Sequence, residues 1–492
     1  MTHPLTQVVL TRTILRRAKI LATIGPASRD PQVLEAMLAA GVDGVRINMS
    51  HGIYEEKAED IRMARAAAER MKRPLAVLVD LSGPKIRTRT LKDHLPVTLK
   101  DNQQFIITTR EVDGDNTQVA TNYPRMPQDV HAGARVLLDD GAIELLVEST
   151  TETDIVARVI NGGTLGERKG INLPGITLPI PSLTAKDRDD LKWAAQQGVD
   201  YFALSFVRSG ADCLEAKKLI EAAGSRAPLI AKIEKAEAID HLDQVIAAAD
   251  GVMVARGDLG VETSVELVPV YQKQIIEEAN DAGKLVITAT QMLQSMVASP
   301  RPTRAEATDV ANAVWDGSDC LMLSGETATG QYPVAAVATM ARIIETAETR
   351  NEKRSIVHKL VGRQTGRVSR ALCEAAAFAA DEMNSRMIAV FTESGLMARR
   401  LSFLRPDQRI IALTSSPEVM NELSLAWGVD SVITSRSRST EELLKLGEQT
   451  LLKADLVEIG ETIVIMAGRL SGLGLSSSVT LYTVAGDIHE TM

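Results

Sequence analysis

Eight apolar segments of strand length recur along the first two thirds of the chain, most of them separated by amphipathic helical stretches. They cover residues 20–24, 42–47, 75–79, 201–204, 229–233, 251–254, 285–288 and 320–323. Near-continuous apolar strands alternating with helices are typical of a parallel sheet covered on both faces. Eight such units predict a closed (β/α)8 TIM barrel, an α/β fold.

Polar residues stand where these apolar segments stop, and in a barrel enzyme the carboxyl ends of the strands form the active-site face. Any single one of them is also a common turn former or helix cap. The set comprises Asn48, Ser50, Asp80, Ser205, Lys232, Glu234, Asp258, Thr290, Ser324 and Glu326. Lys232, Glu234 and Asp258 are the most informative, because a lysine beside two carboxylates can hold a divalent metal and a phosphoryl group together.

The strand–helix alternation breaks between the third and fourth segments, where about a hundred residues are rich in Val, Thr, Asp and Gly. The pattern "ARVLLDDGAIELLVEST" predicts a hairpin around Asp139, Asp140 and Gly141. We expect a small β-barrel lid inserted in a barrel loop and joined by proline- and glycine-marked hinges. The expected division is a helical segment over 1–17, barrel over 18–86 and 182–354, lid over 87–181, and a C-terminal α/β domain over 355–492.

Composition excludes several classes of function. A chain of 492 residues with a net charge of −9 offers no broad basic surface for nucleic acid, so an anionic substrate must be held by a local cluster. No apolar run is long enough to span a bilayer. Cys213, Cys320 and Cys373 are far apart and odd in number, which predicts reduced thiols in a cytoplasmic protein.

The segments "AKILATIGPASRD", "GVRINMSHG", "DLSGPKIRT", "IAKIEKAEA", "MVARGDLGVE" and the block from Thr288 to Pro333 resemble the pyruvate kinase family, in order and at similar separations. The resemblance covers essentially the whole barrel, whereas the lid and C-terminal domain match in architecture more than in motif. It implies magnesium-dependent phosphoryl transfer from phosphoenolpyruvate to ADP, giving pyruvate and ATP in glycolysis.

The resemblance also implies residue roles. Glu234 and Asp258 match the ligands of Mg²⁺, with Mn²⁺ as an alternative, and Lys232 matches the lysine that contacts the phosphoryl group. Arg46 and Arg87 match phosphate-side arginines, and Thr290 matches a threonine near the enolate carbon, in a relay that Ser324 and Glu326 complete. The turn of Ala255, Arg256, Gly257 and Asp258 matches the substrate-carboxylate site, with Lys186 and Ser205 on the lid side. His51 is expected to stabilise its turn rather than act as a base.

The sequence departs from the family at the monovalent-cation region of Asn48, Ser50, Asp80, Leu81 and Lys85. Many relatives carry threonine after the aspartate and glutamate four residues later, and they require potassium. Here those positions hold Leu81 and Lys85, and a lysine ammonium can supply the charge of the ion. We therefore expect potassium not to be required; the alternative is that Lys85 points to solvent and the ion still binds.

The C-terminal domain departs from relatives activated by fructose 1,6-bisphosphate. The turn of Thr392, Glu393, Ser394 and Gly395 lacks two hydroxyls and carries a carboxylate, so a phosphorylated sugar or a nucleoside monophosphate is the expected effector. The segment 468–478 either supplies the other wall of that site or forms a flexible hairpin loop. A homotetramer is what the family usually forms.

Two other functions remain open from the sequence alone. A barrel lyase or aldolase acting on pyruvate or phosphoenolpyruvate would also place a glutamate and an aspartate on magnesium, but it does not explain the inserted lid or Lys232. A non-catalytic sensor that binds a metabolite through its C-terminal domain would predict damage to the catalytic set. That set, comprising Arg46, Lys232, Glu234, Asp258 and Thr290, is complete.

Overall fold

The computed structural model describes residues 16–349, 367–435, 440–467 and 478–486. The predicted N-terminal helix, apart from Arg16 and Arg17, and nearly all of the segment 468–478 lie outside these ranges. Within them, no helix is long and apolar enough to cross a membrane.

The first part of the barrel alternates strands with helices as predicted. It contains β1 (Lys19–Thr23), α1 (Pro31–Ala40), β2 (Gly44–Asn48), α2 (Tyr54–Arg70) and β3 (Ala76–Asp80). Helix α1 begins where the Asp30 side chain accepts the N–H groups of Gln32 and Val33, and it ends at Gly41, whose φ of 130° suits glycine. These caps fix where the chain turns back toward the next strand.

The inserted region, called the lid here, is almost entirely β-structure. Its elements are β4 (Val97–Leu99), β5 (Gln104–Thr108), β6 (Gln118–Ala120), α3 (Met126–Asp129), β7 (Arg135–Leu138), β8 (Ile143–Thr150), β9 (Asp154–Asn161), β10 (Gly163–Leu165) and β11 (Ile171–Asn172), with a short 3-10 helix at Lys92–His94. The larger sheet has the order β11-β7-β8-β9-β5-β6, and β4 pairs with β10. The predicted hairpin is β7–β8, and Asp139, Asp140 and Gly141 all have positive φ in its turn.

The barrel resumes after the lid and closes on itself. It continues with α4 (Ala185–Gln196), β12 (Tyr201–Leu204), α5 (Gly210–Ala222), β13 (Leu229–Ile233), α6 (Ala236–Asp240), α7 (Leu242–Ala248), β14 (Gly251–Ala255), α8 (Arg256–Glu262), α9 (Val268–Asp281), β15 (Leu285–Ala289), α10 (Arg304–Asp316), β16 (Cys320–Leu323), α11 (Gly325–Ala328) and α12 (Pro333–Thr349), with a 3-10 helix at Gln294–Val297. The parallel strands form a closed ring in the order β1-β16-β15-β14-β13-β12-β3-β2. All eight predicted strands are present, with ends within two residues of the predicted ones.

The C-terminal region is a separate α/β layer structure. It contains α13 (Arg367–Glu382), β17 (Met387–Phe391), α14 (Leu396–Phe403), β18 (Arg409–Thr414), α15 (Pro417–Leu423), β19 (Val429–Ile433), α16 (Thr440–Lys453), β20 (Thr462–Ala467) and β21 (Ser478–Thr483). Its sheet has the order β19-β18-β17-β20-β21, parallel except for β21. The fold class predicted from the sequence is therefore confirmed.

A leucine of the C-terminal region closes the base of the barrel. Leu425, in the loop after α15, is fully buried and belongs to the same apolar cluster as interior barrel residues such as Leu21 and Met253. Nearby, the Tyr201 hydroxyl donates to the Glu422 carbonyl at 2.7 Å, and Arg405 pairs with Asp319 at 2.7 Å. These contacts hold the C-terminal region against the face opposite the carboxyl ends of the strands.

Candidate active site

Three of four neighbouring strands bring their terminal polar residues together at the carboxyl face of the barrel. Strands β2, β3, β12 and β13 are adjacent in the ring, and Asp80, Ser205, Lys232 and Glu234 lie at or just beyond the ends of the last three. All four side chains are buried, with 7% exposure for Lys232 and 2% or less for the others. Buried charges of this kind are stable only when they are paired, so their contacts define the site.

Lys232 is the centre of this cluster. Its Nζ donates to Ser205 Oγ at 2.6 Å and lies 2.7 Å from Glu234 Oε1 and 3.3 Å from Asp80 Oδ1. Burial by itself would lower the pKa of Lys232, but the two carboxylates outweigh it and hold the pKa above its ordinary value. The side chain is therefore a fixed ammonium at neutral pH, positioned at the mouth of the barrel.

Asp80 is compensated by more than one cation. Its Oδ2 accepts from Arg46 Nε at 2.7 Å, and Arg46 also donates to Thr23 Oγ1 at 3.2 Å. Burial favours a higher pKa for Asp80, yet the charges of Lys232 and Arg46, with a smaller contribution from Lys85, hold the pKa below its ordinary value. The sequence argument gave Lys85 the whole compensation of Asp80; the structure gives most of it to the two nearer cations.

Glu234 and Asp258 form a sparse oxygen donor set. Glu234 accepts the N–H of Phe206 at 2.8 Å through Oε2 and faces Lys232 through Oε1. Burial raises the pKa of Glu234, Lys232 opposes the rise, and the nearby charge of Asp258 adds to it. The carboxylate of Asp258 accepts no hydrogen bond from the described residues. Among the described residues no third His, Cys, Asp or Glu joins these two carboxylates in a possible metal site. Such a pair suits Mg²⁺, which keeps waters and substrate oxygens in its coordination sphere, better than a metal that needs a full protein cage.

The turn after β14, which the resemblance matches to the substrate-carboxylate site, already forms the start of a helix. Helix α8 begins at Arg256, and the Gly257 N–H donates to Thr290 Oγ1 at 2.8 Å. The Arg256 guanidinium turns away and binds Asp309 at 2.6 Å and the Thr290 carbonyl at 2.8 Å. Arg256 therefore braces this turn instead of presenting its charge to the cleft.

Thr290 has an unusual backbone conformation. Its φ is 71°, a region that β-branched residues rarely adopt. Its hydroxyl donates to the Ala289 carbonyl at 2.6 Å while accepting from Gly257. Ser324 Oγ is buried and has no hydrogen-bond partner among the described residues, and Glu326 accepts the N–H groups of Leu293 and Ser324. A strained backbone conformation persists only where the surrounding structure holds it in place, and such residues are frequent at functional sites.

A cleft of about 310 Å³ lies between the barrel and the lid. Its lining includes His51, Lys85, Arg87 and Asp258. Burial lowers the pKa of His51, and the positive charges of Arg87, Lys85 and Lys57 lower it further. His51 is therefore neutral at neutral pH, and its expected turn-stabilising role stays a prediction. Lys85 and Arg87 place positive charge in the cleft, whose lining also includes carboxylates such as Asp258.

The remaining predicted residues of the barrel have separate environments. The Lys186 ammonium donates to the Met49 carbonyl at 2.9 Å and to Asp190 at 2.5 Å, so it is held by the protein beside the end of β2. Asn48 Oδ1 accepts the Ser50 N–H at 3.0 Å in a local turn. Leu81 is fully buried in the barrel core. Ser205 is thus inside the Lys232 cluster, whereas Lys186 has its own partners.

The expected effector turn lies in the C-terminal region, between β17 and α14. Ser415 Oγ donates to the Glu393 carboxylate at 2.7 and 3.0 Å, and Gly395 has a φ of 72° at the start of α14. Arg399 reaches back over the turn to the Ser394 carbonyl at 2.7 Å. The hydroxyl partner offsets part of the unfavourable charge that the sequence assigned to Glu393.

The sequence analysis missed a polar junction formed by Asn172, Lys235 and Glu262. Asn172 Nδ2 donates to Glu262 Oε1 at 2.8 Å, and Lys235 Nζ lies 2.7 Å from the same oxygen. A usable signal was present, because Glu262 follows Asp258 by four residues and Lys235 follows Glu234 directly. Asn172 comes from the lid, and nothing local in the sequence connects it to α8.

A buried ammonium between two carboxylates at the strand ends of a (β/α)8 barrel, with a cleft between that barrel and an inserted lid, is the arrangement of a barrel phosphotransferase. The family profile "Pyruvate kinase, barrel domain" matches residues 15–337, and "Pyruvate kinase, alpha/beta domain" matches residues 370–479. The chain belongs to the pyruvate kinase family, and it is an enzyme that forms pyruvate from phosphoenolpyruvate.

Individual relatives agree with this assignment. Pyruvate kinase 2 of Synechocystis sp. is 43% identical over 467 residues, covering 94% of this chain and 78% of the relative. The pyruvate kinase of Geobacillus stearothermophilus is 41% identical over 476 residues, covering 96% and 81%. The crystal structure of a pyruvate kinase from Cryptosporidium parvum superposes with a TM-score of 0.88 at 36% identity and covers 96% of both chains.

Proposed function

We propose that this enzyme transfers the phosphoryl group of phosphoenolpyruvate to ADP in a magnesium-dependent reaction that needs no potassium. The observation that carries the proposal is the Lys232 ammonium, which is fixed between Asp80 and Glu234 at the strand ends. A charge held in advance at that position stabilises the negative charge that gathers on the equatorial oxygens during transfer, without reorganisation cost.

The arginines have complementary tasks in this scheme. Arg46 is held rigidly by Asp80 and Thr23, so its guanidinium is preorganised. Arg87 lines the cleft and has no side-chain hydrogen bond to the described residues, which leaves its five donors for phosphate oxygens. Together with Lys232 they make a cationic frame that orients the phosphoryl group between donor and acceptor.

Glu234 and Asp258 would hold the divalent cation, Mg²⁺ or Mn²⁺. A cation held by these two carboxylates would supply positive charge that offsets the negative charge of the substrate. Glu234 supplies a carboxylate fixed by the Phe206 N–H and Lys232, and Asp258 supplies one that accepts no hydrogen bond from the part of the chain that the structure describes. A cation could therefore bind the Asp258 carboxylate without first displacing a hydrogen bond from the described residues.

Proton delivery to the enolate would involve Thr290. A hydroxyl is too weakly acidic to act alone, so we assign it to a water-linked relay with Ser324 and Glu326. The unpartnered buried Oγ of Ser324 and the strained backbone of Thr290 support this role. The Gly257 N–H that now donates to Thr290 would be released for the substrate carboxylate when phosphoenolpyruvate binds.

The potassium proposal rests on the charges around Asp80. Arg46, Lys232 and Lys85 oppose Asp80, Glu234 and Asp258, three formal charges of each sign. A glutamate in place of Lys85 would change this balance by two units and create a site for a cation. Lys85 is exposed and lines the cleft, and its charge already lowers the pKa of Asp80.

Regulation and assembly extend the proposal. A phosphorylated sugar or a nucleoside monophosphate would bind at Thr392, Glu393, Ser394 and Gly395, with the N–H groups of α14 and Arg399 nearby. A homotetramer in the cytoplasm is the expected assembly and location. The three buried free cysteines fit a reducing compartment.

A coupled assay tests the function. Pyruvate formation from phosphoenolpyruvate and ADP is followed through lactate dehydrogenase, with magnesium present and then removed by a chelator. A barrel lyase or aldolase would not consume ADP, and a non-catalytic sensor would give no pyruvate at all. Activity that persists after complete removal of divalent metal would contradict the roles given to Glu234 and Asp258.

A further inference from the structure

Glu262 is a buried carboxylate at the junction of the lid and the barrel. It is the last residue of α8 and is 7% exposed. One of its oxygens, Oε1, accepts from Asn172 of the lid and pairs with Lys235 of the barrel. A buried carboxylate with these two partners is strongly tied to both, because losing either leaves charge or polarity uncompensated.

The lid partner is anchored to the phosphate side of the cleft. Asn172 ends β11, and its neighbour Ile171 donates its N–H to the Ile86 carbonyl at 2.9 Å. Arg87 forms a β-bridge with Gly170 in the same region. The segment that carries Asn172 is thus joined by backbone hydrogen bonds to the segment that carries Lys85 and Arg87, so these residues move with the lid strand.

The barrel partner is anchored to the metal side. Lys235 follows Glu234, and its ammonium lies 5.6 Å from the centre of the Phe206 ring. The backbone N–H of Phe206 in turn donates to Glu234. Lys235 therefore connects Glu262 to the residue that fixes the Glu234 carboxylate.

Helix α8 carries both carboxylates. Asp258 and Glu262 are four residues apart, about one helical turn, so they share a face, and both line the same cleft. A helix of 7 residues has little stability of its own, and its orientation depends on contacts such as those of Glu262. Displacement of Glu262 would therefore move Asp258.

We propose that Asn172, Glu262 and Lys235 form a latch that couples the position of the lid to the position of the Asp258 carboxylate. Glu262 is a positioning residue: it touches no reacting atom, and it aligns the carboxylate of Asp258 only when strand β11 of the lid contacts α8. This inference rests on the proposed role of Asp258 as a metal ligand. It predicts that a lid substitution weakens metal binding even when no substrate is present.

Direct Mn²⁺ binding, followed by the electron spin resonance of the free ion, tests the latch. Asn172→Ala should weaken Mn²⁺ binding by about tenfold, near the lower end of the effect of one hydrogen bond to a charged group, with a denaturation temperature within about 2 °C of the parent. Thr177→Ala is the matched control, because Thr177 links the lid connection to Glu237 on α6 instead of α8. That control should leave the affinity unchanged.

A second arm separates the latch from the proposed function. If Glu234→Gln does not weaken Mn²⁺ binding, the metal site itself is wrong. If Glu234→Gln weakens it but Asn172→Ala does not, the metal site stands and the latch is overturned. Asn172→Ala should also have no further effect on a Glu262→Ala background, because the asparagine acts through the glutamate; additive effects would overturn the latch.

Lid position can be measured independently of activity. Cys213, Cys320 and Cys373 are buried, so spin labels attach selectively at Lys100→Cys in the lid and Lys218→Cys on α5. Asn172→Ala and Glu262→Gln should broaden the distance distribution between these labels, whereas Thr177→Ala should leave it narrow. An unchanged distribution in both latch variants would overturn the coupling.

Discussion

The hydroxyl of Thr290 accepts a hydrogen bond from the backbone N–H of Gly257 at 2.8 Å, which joins the ends of two adjacent barrel strands. The same hydroxyl donates to its preceding carbonyl, so both its hydrogen-bonding functions are used by the protein. Under the proposed function, a substrate carboxylate at the first turn of α8 would take over the Gly257 N–H and thereby release the Thr290 hydroxyl. We therefore expect substrate binding to prepare the proposed proton relay.

Thr290→Ala should slow exchange of the pyruvate methyl protons with solvent by at least tenfold, since the relay loses its hydroxyl. Phosphoryl transfer should fall less. Thr290→Ser keeps the hydroxyl and is the matched control, and it should retain most of the exchange rate. Proton exchange is measured by nuclear magnetic resonance in deuterated water. Equal losses of exchange and phosphoryl transfer in Thr290→Ala would count against a separate role in protonation.

Lys232→Met should lower kcat by several orders of magnitude and change the KM for phosphoenolpyruvate little. The lost charge acts mainly on the transition state, so the loss appears in kcat. Lys217→Met removes a lysine that pairs with Asp250 on a different part of the barrel and serves as control. A fall in kcat of less than about tenfold, or roughly 1.4 kcal/mol in the barrier, would show that the assigned role is wrong.

Potassium should stimulate the natural enzyme less than twofold in tetramethylammonium salts at constant ionic strength. Lys85→Glu should make the enzyme slow and restore its activity when potassium is titrated in, because the substitution changes the local charge by two units beside Asp80. Lys100→Glu, an exposed lid position, controls for the general effect of the charge change. Stimulation of the natural enzyme by tenfold or more would refute the substitution of lysine for the ion.

A phosphorylated monosaccharide or a nucleoside monophosphate should lower the half-saturation for phosphoenolpyruvate. Thr392→Ala or Ser394→Ala should blunt this response without abolishing basal activity, since an effector acts through its differential affinity for two states. The measurement is a substrate titration at several effector concentrations. Activation by fructose 1,6-bisphosphate at micromolar level, stronger than by any monophosphate, would contradict this interpretation of the turn.

Leu425→Ala should destabilise the contact between the C-terminal region and the barrel. The leucine is fully buried in the interior cluster at the barrel base, and removing such a side chain costs about 2–5 kcal/mol. Calorimetry should show a lower denaturation temperature. Leu481→Ala, which changes a half-exposed leucine on the edge strand β21, should have a much smaller effect. Equal shifts would mean that Leu425 does not support the base.

Local pattern was sufficient for the fold because each barrel strand is buried on both faces and each helix on one. The pattern of apolar residues therefore identifies the eight strands of the barrel and the polar residues at their ends. The hairpin at Asp139 to Gly141 was equally predictable from the sequence, because its turn needs residues that tolerate positive φ.

The sequence by itself determined the barrel, the lid and the C-terminal sheet, since these depend on periodicity. It also placed Lys232, Glu234 and Asp258 at or just beyond strand ends, while their roles stay predictions. Tertiary structure alone decided which charges meet. Arg46 reaches Asp80 across a strand boundary, Arg256 turns away from the cleft, and Asn172 finds Glu262 across 90 residues of chain. Such contacts depend on the conformations of long side chains and on how the lid packs against the barrel. Neither of these produces a periodic pattern in the sequence.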